Sequence, residues 1–366
     1  MSLLFSSHPL LKIFGRFKNK GQKQNGDLSL FCAQVSPGFD LQGVCILEFI
    51  TYLIRGISLG SVYAIIALGY TMVYGIAKML NFAHGDIIMI GGYVAFTVMT
   101  TLALPSYLAV IAAILFCTLL GVAIERIAYK PLRGATPLAV LITAIGMSYF
   151  LQNIALLIFG SDPKMFTSVV PLESVRFYYD GSGLLGVKAF WTGAADPVLP
   201  DKLQNADVLT ISGVMIVTIL VSVAIMIALM VFIKKSKTGR AMLAVSEDKG
   251  AAQLMGVNVN KTIAITFAIG SALAAVAGVL LCSAYPTLTP YTGSMPGIKA
   301  FVAAVFGGIG SIPGAMVGGI LLGIIEIFST AYISSQLADA IVFSVLIIVL
   351  LVKPTGILGK KISEKV

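Results

Sequence analysis

The chain has 366 residues, of which 58% are hydrophobic and 11% charged, and its mean hydropathy is +0.96. A soluble globular domain carries about 45–50% apolar and about 25% charged residues, so this composition excludes one and requires apolar surface that faces lipid. The net charge of +9 would suggest nucleic acid in a soluble protein. In a membrane protein it belongs to the Lys and Arg excess of cytoplasmic loops, and no nucleic-acid partner is expected.

Residues 1–45 read as an N-terminal extension. Lys12, Arg16, Lys18, Lys20 and Lys23 surround short apolar pieces, and no charge-free core leads to a small-residue cleavage site, which argues against a cleavable signal peptide. We expect this extension to be flexible or to lie on a surface; an over-long assigned start is the open alternative.

Residues 46–360 read as one transmembrane domain. About 20 apolar residues cross a bilayer, and 56–77, 106–124, 138–160, 208–233 and 262–283 carry no charge at all. The expected fold is all-α, a polytopic helical membrane protein of about eight transmembrane helices. Between 56–77 and a span over 87–104, Asn81-Phe82-Ala83-His84-Gly85-Asp86 breaks the apolar pattern. Asn81 and His84 are candidates to cap the broken helix ends. A proton relay through His84 and Asp86 is the rival reading, since ionisable residues in membranes are often functional.

Arg126, Lys130 and Arg133 follow the third span. The connection 234–261 carries Lys234, Lys235, Lys237, Arg240, Lys249 and Lys261, and the tail carries Lys353, Lys360, Lys361 and Lys365. All three are expected in the cytoplasm, including the C-terminal tail 361–366. The net-acidic stretch 161–207 is expected to be an external loop. Counting back places the break at 81–86 on the inner side and the N-terminus outside, against the five basic residues there; that conflict stays open.

Within 297–352, Gly307-Gly308-Ile309-Gly310-Ser311-Ile312-Pro313-Gly314 forms a second break, followed by a last span at about 337–352. Non-helical backbone at membrane depth needs cover from protein or a watery cavity, so both breaks are candidates for a translocation path. The hinge residues are Asn81, Phe82, Ala83, His84 and Gly85 in the first break and Gly307, Gly308, Gly310, Pro313 and Gly314 in the second. Glu326 and Asp339 flank spans and do not occupy their centres. Small residues at four-residue spacing, Gly56/Gly60, Gly310/Gly314/Gly318 and Gly319/Gly323, suggest close helix packing. Cys32, Cys45, Cys117 and Cys282 are scattered and read as packing residues.

The cytoplasmic connection holds Ser246-Glu247-Asp248-Lys249-Gly250-Ala251-Ala252-Gln253-Leu254-Met255-Gly256-Val257. Ser246 suits an N-cap, Glu247 and Asp248 suit a first helical turn, and Gly256 suits the stop. This is similar to the coupling helix of ABC importer permeases, whose Glu-Ala-Ala…Gly pattern docks on an ATPase. Glu247 stands apart from Ala251-Ala252, so an ordinary amphipathic loop helix remains the alternative. The candidate coupling residues are Glu247, Asp248, Ala251, Ala252, Gly256 and Val257, with Ala252 at the contact.

A wider resemblance joins these pieces. Gly60-Ser61-Val62-Tyr63-Ala64, Gly69-Tyr70-Thr71-Met72-Val73-Tyr74-Gly75 and Asn81 to Asp86 look like the opening of the LivH-type branched-chain amino-acid permeases. Ala300 to Phe306 with Gly307 to Ala315, and Leu351 to Gly359, fit the same family in order. The resemblance implies a permease subunit of an ABC importer for leucine, isoleucine and valine. It implies a homologous second permease subunit, two cytoplasmic ATPase subunits and an external solute-binding protein as partners, in a bacterial inner membrane. The sequence has no Gly-x-x-x-x-Gly-Lys-Ser/Thr phosphate loop, so this chain is expected to bind no cofactor and to be no enzyme, with ATP and Mg used by the ATPase subunits. Permeases for urea or short-chain amides are the nearest alternative, and an ion-coupled secondary transporter the next.

Overall fold

Helices rich in Gly, Ala and β-branched residues bury on every side when their neighbours approach to backbone contact. The computed structural model, which describes residues 41–79, 81–180, 183–191 and 207–359, is organised around one such helix. The chain divides into units 1–49 and 50–366, and among the described residues the second holds every element except the start of the first helix. Residues 1–40 of the expected extension and the tail 361–366 lie outside the described residues, whereas residues 41–45, assigned to the extension by sequence, open the first helix.

That helix is α1 (Leu41–Ala77), followed by α2 (His84–Thr100), α3 (Ser106–Ile124) and α4 (Pro137–Phe159). After a β-segment come α5 (Gly213–Lys235), α6 (Lys237–Glu247), α7 (Lys249–Leu254) and α8 (Val259–Ala284), then α9 (Ser294–Gly307), α10 (Ile312–Tyr332) and α11 (Ala338–Val352). Among the described residues six helices are long and apolar enough to cross a membrane, with α9 and α11 as shorter apolar ones. The protein is a multi-pass helical membrane protein. The apolar window of α1 is 94% buried, whereas that of α5 is 17% buried, so α1 is a central pillar and α5 lies at the periphery with α3 and α4.

Glycines set how close α1 comes to α10. A Cβ on Gly60 would stand 2.6 Å from the Ile320 Cα, and one on Gly319 2.6 Å from the Ala64 Cα. Beyond α3 the helix widens into a π-turn, Glu125–Tyr129, and a 3-10 turn, Lys130–Leu132. Pro131 lacks the N–H that would continue the ladder.

The stretch expected as a loop contains strands. β1 (Lys164–Met165) pairs with β5 (Thr287–Leu288), and β2 (Leu172–Asp180), β3 (Gly183–Trp191) and β4 (Asp207–Ser212) form an antiparallel sheet in the order β3-β2-β4. Five residues expected to open a span, Val208 to Ser212, belong to β4, and α5 starts at Gly213. The run Val208-Leu209-Thr210-Ile211 is apolar enough to read as membrane, yet its residues also fit a pleated surface, and pairing with Ser174 to Tyr178 decides the matter. Because α8 is 26 residues long, about 1.5 Å of rise per residue separates the end bearing β5 from the end bearing α6 and α7.

Candidate functional site

Both expected breaks are present, and residues of each line one small, partly open cleft. Tyr70, Tyr74, Met79 and Asn81 line it from α1 and the first break; Phe301, Ala304 and Ile309 line it from α9 and the second. Of its lining rings Tyr70 and Phe301 meet at 5.7 Å, and each is backed by a further ring: Phe82 lies 5.6 Å from Phe301, and His84 meets Tyr70 edge-on at 4.7 Å.

The first break is displaced toward the N-terminus of its expected position. α1 stops at Ala77, Lys78 takes a left-handed φ of 59°, and His84, Gly85 and Asp86 already form the first turn of α2. Packing explains this shift: a Cβ on Gly85 would lie 2.8 Å from the Gly293 carbonyl oxygen, so the first turn of α2 is seated on the start of α9. The expected capping roles are not what the side chains perform. Ala83 precedes α2 with no side-chain cap. The Asn81 Oδ1 instead accepts from the Tyr129 hydroxyl at 2.8 Å, and the His84 imidazole bonds the Ile66 carbonyl while its Nε2 faces Gly69. The Asp86 Oδ1 accepts from Gln152 Nε2 at 2.8 Å, and that amide also reaches Ser148 and Ser294. Asp86 is thereby tied to α4 and to the start of α9.

The second break follows Gly307. Gly308 and Gly310 have φ of 106° and 93°, a region closed to most side-chain-bearing residues. Ser311 then caps α10 by accepting from the Gly314 N–H at 3.2 Å, with Pro313 in the first turn. The C-terminal segment covers this break: the N–H of Ile357 donates to the Phe306 carbonyl at 2.9 Å and that of Leu358 to Gly307 at 3.0 Å. A Cβ on Gly308 would stand 2.5 Å from the Gly359 nitrogen.

Behind α9 lies a charge cluster. Lys299 bonds Glu326 at 2.8 Å and Asp339 at 2.6 Å, and the Tyr63 hydroxyl donates to Glu326 at 3.0 Å. Lys299 and Phe301 are two residues apart, about 200° around a helix, so the cluster braces the face of α9 opposite the cleft. Glu326 and Asp339, read in the sequence as flanking groups, are partners of one cation.

In the basic connection, Glu247 ends α6 and α7 begins at Lys249. The cap is Asp248, whose Oδ1 accepts from the N–H groups of Gly250 at 2.7 Å and Ala251 at 3.0 Å; Ser246 lies inside α6 and donates to the Leu243 carbonyl. Asp248 has the β-region backbone that an N-cap requires. Gly256 ends the turn with φ of 82°, and the Val257 N–H donates to the Ala252 carbonyl. Ala252, expected at an outer contact, is 4% exposed and faces the protein, whereas Leu254 and Met255 are 90% and 85% exposed. Lys249 Nζ donates to the Ala77 carbonyl at 2.8 Å. Burial, then Arg133 and Lys78, push its pKa below the ordinary lysine value. Arg133 itself bonds Glu125 and Asn260.

Sequence reasoning missed Tyr70, Tyr74, Met79, Phe301 and Ala304 as cleft residues, because an aromatic or apolar residue in an apolar helix reads as core. Lys299 had a visible signal, a lone cation in an apolar stretch, that pointed to a carboxylate partner. Among the described residues no group of three or more His, Cys, Asp or Glu could hold a metal ion.

A family model described as branched-chain amino acid transport system / permease component matches residues 52–351. The chain is 46% identical over 329 residues to the high-affinity branched-chain amino acid transport system permease protein LivH of Salmonella typhimurium, covering 87% of this chain and 98% of that protein. It is 44% identical over 329 residues to the corresponding permease protein BraD of Pseudomonas aeruginosa, covering 88% and 99%. A probable branched-chain amino acid transport permease protein of Methanocaldococcus jannaschii is 28% identical over 306 residues, covering 81% and 88%.

Proposed function

Because the chain belongs to the family of branched-chain amino acid transport system permease components, we propose that it forms half of the translocation path of an ABC importer for leucine, isoleucine and valine. The observation that carries this reading is the cleft shared by the two breaks. Its wall of Tyr70, Tyr74 and Phe301 suits an apolar side chain, and the Asn81 amide offers a polar contact. Non-helical backbone beside a cavity is what a path through a membrane requires.

The basic connection and the tail face the cytoplasm by the excess of Lys and Arg, and the β-sheet faces outward, where a solute-binding protein docks. The second half of the path comes from a homologous permease subunit. Of two ATPase subunits, one seats against α7 through Leu254 and Met255, with Glu247, Ala251 and Gly256 around them and Ala252 holding α7 to the protein. ATP and Mg are used on those subunits, and this chain binds neither. Closure of the ATPases biases a two-state membrane element, whose other state the loaded binding protein favours.

The test is uptake of labelled leucine, isoleucine and valine by proteoliposomes holding the purified complex and its binding protein. Uptake that needs ATP inside and the binding protein outside is expected. Uptake driven by an ion gradient without ATP would overturn the reading, and preferential uptake of urea or acetamide would replace the substrate.

A further inference from the structure

The cytoplasmic helix and the cleft are joined by one short chain of contacts. Lys249 is the first residue of α7, and Asp248 fixes that turn through the N–H groups of Gly250 and Ala251. Its ammonium reaches the carbonyl of Ala77, the last residue of α1. Helix C-termini leave carbonyls without partners and carry negative dipole charge, so a lysine is a favourable partner there. Beyond Ala77 the chain turns at Lys78 and enters the cleft at Met79 and Asn81. The far side of the same break is anchored separately, by the Tyr129 hydroxyl on Asn81.

The crowding around Lys249 bears on this. Arg133 and Lys78 both disfavour its charge, and Glu125 is engaged by Arg133. The α1 carbonyl, in contrast, favours the charge of the ammonium that it meets. We propose that Lys249 is a positioning residue that carries movement of the ATPase-facing helix α7 to the cleft by holding the C-terminal end of α1. This rests on the importer reading above. A displacement of α7 reaches Ala77 through one hydrogen bond, two residues before the cleft wall at Met79. With Asn81 held by Tyr129, the displacement is taken up inside the break and changes the cleft's shape.

The experiment measures leucine imported per ATP hydrolysed, in proteoliposomes holding the complete complex and binding protein, for wild type, Lys249→Met, Lys249→Gln and Lys249→Arg. Methionine keeps the length and apolar stem of lysine without the donor; arginine keeps a cationic donor. Assembly is checked by co-purification of the ATPases. Lys249→Met and Lys249→Gln are expected to assemble and hydrolyse ATP near the wild-type rate, yet to import about threefold less leucine per ATP or lower still, as loss of a partly exposed charge-assisted bond implies. Lys249→Arg is expected to restore most of the ratio. An unchanged ratio in Lys249→Met, a proportional fall of hydrolysis and uptake, failure of Lys249→Arg to restore the ratio, or failure of both neutral variants to assemble would overturn the proposal. Wild-type uptake that proceeds without ATP would sink the importer reading itself, whatever the Lys249 variants do.

Discussion

The two breaks border the same cleft but are held together by different means. The second is built from backbone: Gly308 and Gly310 at positive φ, and chain segments from Ile357 and Leu358 bonded onto Phe306 and Gly307. The first adds side-chain hydrogen bonds to the backbone packing of Gly85 on Gly293. Lys249 meets the Ala77 carbonyl, Tyr129 meets Asn81, and Asp86 meets Gln152. Backbone contact at van der Waals distance leaves nothing to adjust, because packed interiors resist small displacements. Side-chain hydrogen bonds can be exchanged for others at a net difference of about 1 kcal/mol each. The comparison assigns the fixed wall of the cleft to the second break and the adjustable wall to the first.

The largest expected effect tests the fixed wall. Gly308→Val combines a β-branched residue at positive φ with a Cβ 2.5 Å from the Gly359 nitrogen. Backbone strain of about 1–3 kcal/mol and overpacking of about 1–3 kcal/mol act together. We expect loss of properly assembled protein, read by size-exclusion chromatography of the solubilised complex. Wild-type yield and uptake would show that this wall can yield.

Lys299→Met should come next, because it removes the brace behind α9. Breaking a buried ion pair costs about 3–5 kcal/mol when fully buried, and the 48% exposure of Asp339 lowers that here. A loss of about 2 kcal/mol, seen as a lower thermal midpoint of the purified complex, is expected. Adding Glu326→Gln should recover part of it, since the stranded carboxylate is then neutral. No recovery would mean that the cluster acts by packing alone.

Tyr129→Phe addresses the adjustable wall. It leaves the Asn81 Oδ1 without its donor in a buried site, worth about 1–3 kcal/mol. Its distinguishing effect should be on transport: a lower maximal leucine uptake with the ATPases still bound. A fall in stability with unchanged uptake per assembled complex would place the first break among the fixed parts.

How much of this was legible in the sequence differs between the breaks for the same physical reason. The second break announced itself through glycines and a proline, whose backbone preferences are local. It lies inside the stretch the sequence placed it in, narrowed to 308–311, with Gly307 in α9 and Pro313 and Gly314 in the first turn of α10. The first break was located but displaced, because its helix start is set by Gly85 packing on Gly293, a contact more than two hundred positions away in the chain. The strand β4 was read as membrane because an apolar run fits either state until a partner strand exists. The turn at α7 was found, yet its cap was assigned to Ser246. Ser and Asp are both competent caps, and only the backbone of Asp248 decides between them. Lys299, Glu326 and Asp339 were visible as charges and invisible as a cluster.

The smallest expected effect bears most directly on the contrast between the walls. Ser311 caps α10 beside the second break, accepting from the Gly314 N–H at 3.2 Å, so it is a side-chain contact in a place we assign to backbone. If the assignment holds, Ser311→Ala removes one cap and nothing else. Loss of an N-cap costs about 0.5–2 kcal/mol in general, and the long 3.2 Å contact points to the low end of that range. The bonds from Ile357 and Leu358 and the positive-φ glycines are untouched by the change. We therefore expect a small shift in the thermal midpoint of the complex and leucine uptake per ATP equal to wild type. A coupling loss as large as that expected for Lys249→Met would show that the second break also moves by exchanging side-chain partners, and the distinction between a fixed and an adjustable wall would fall.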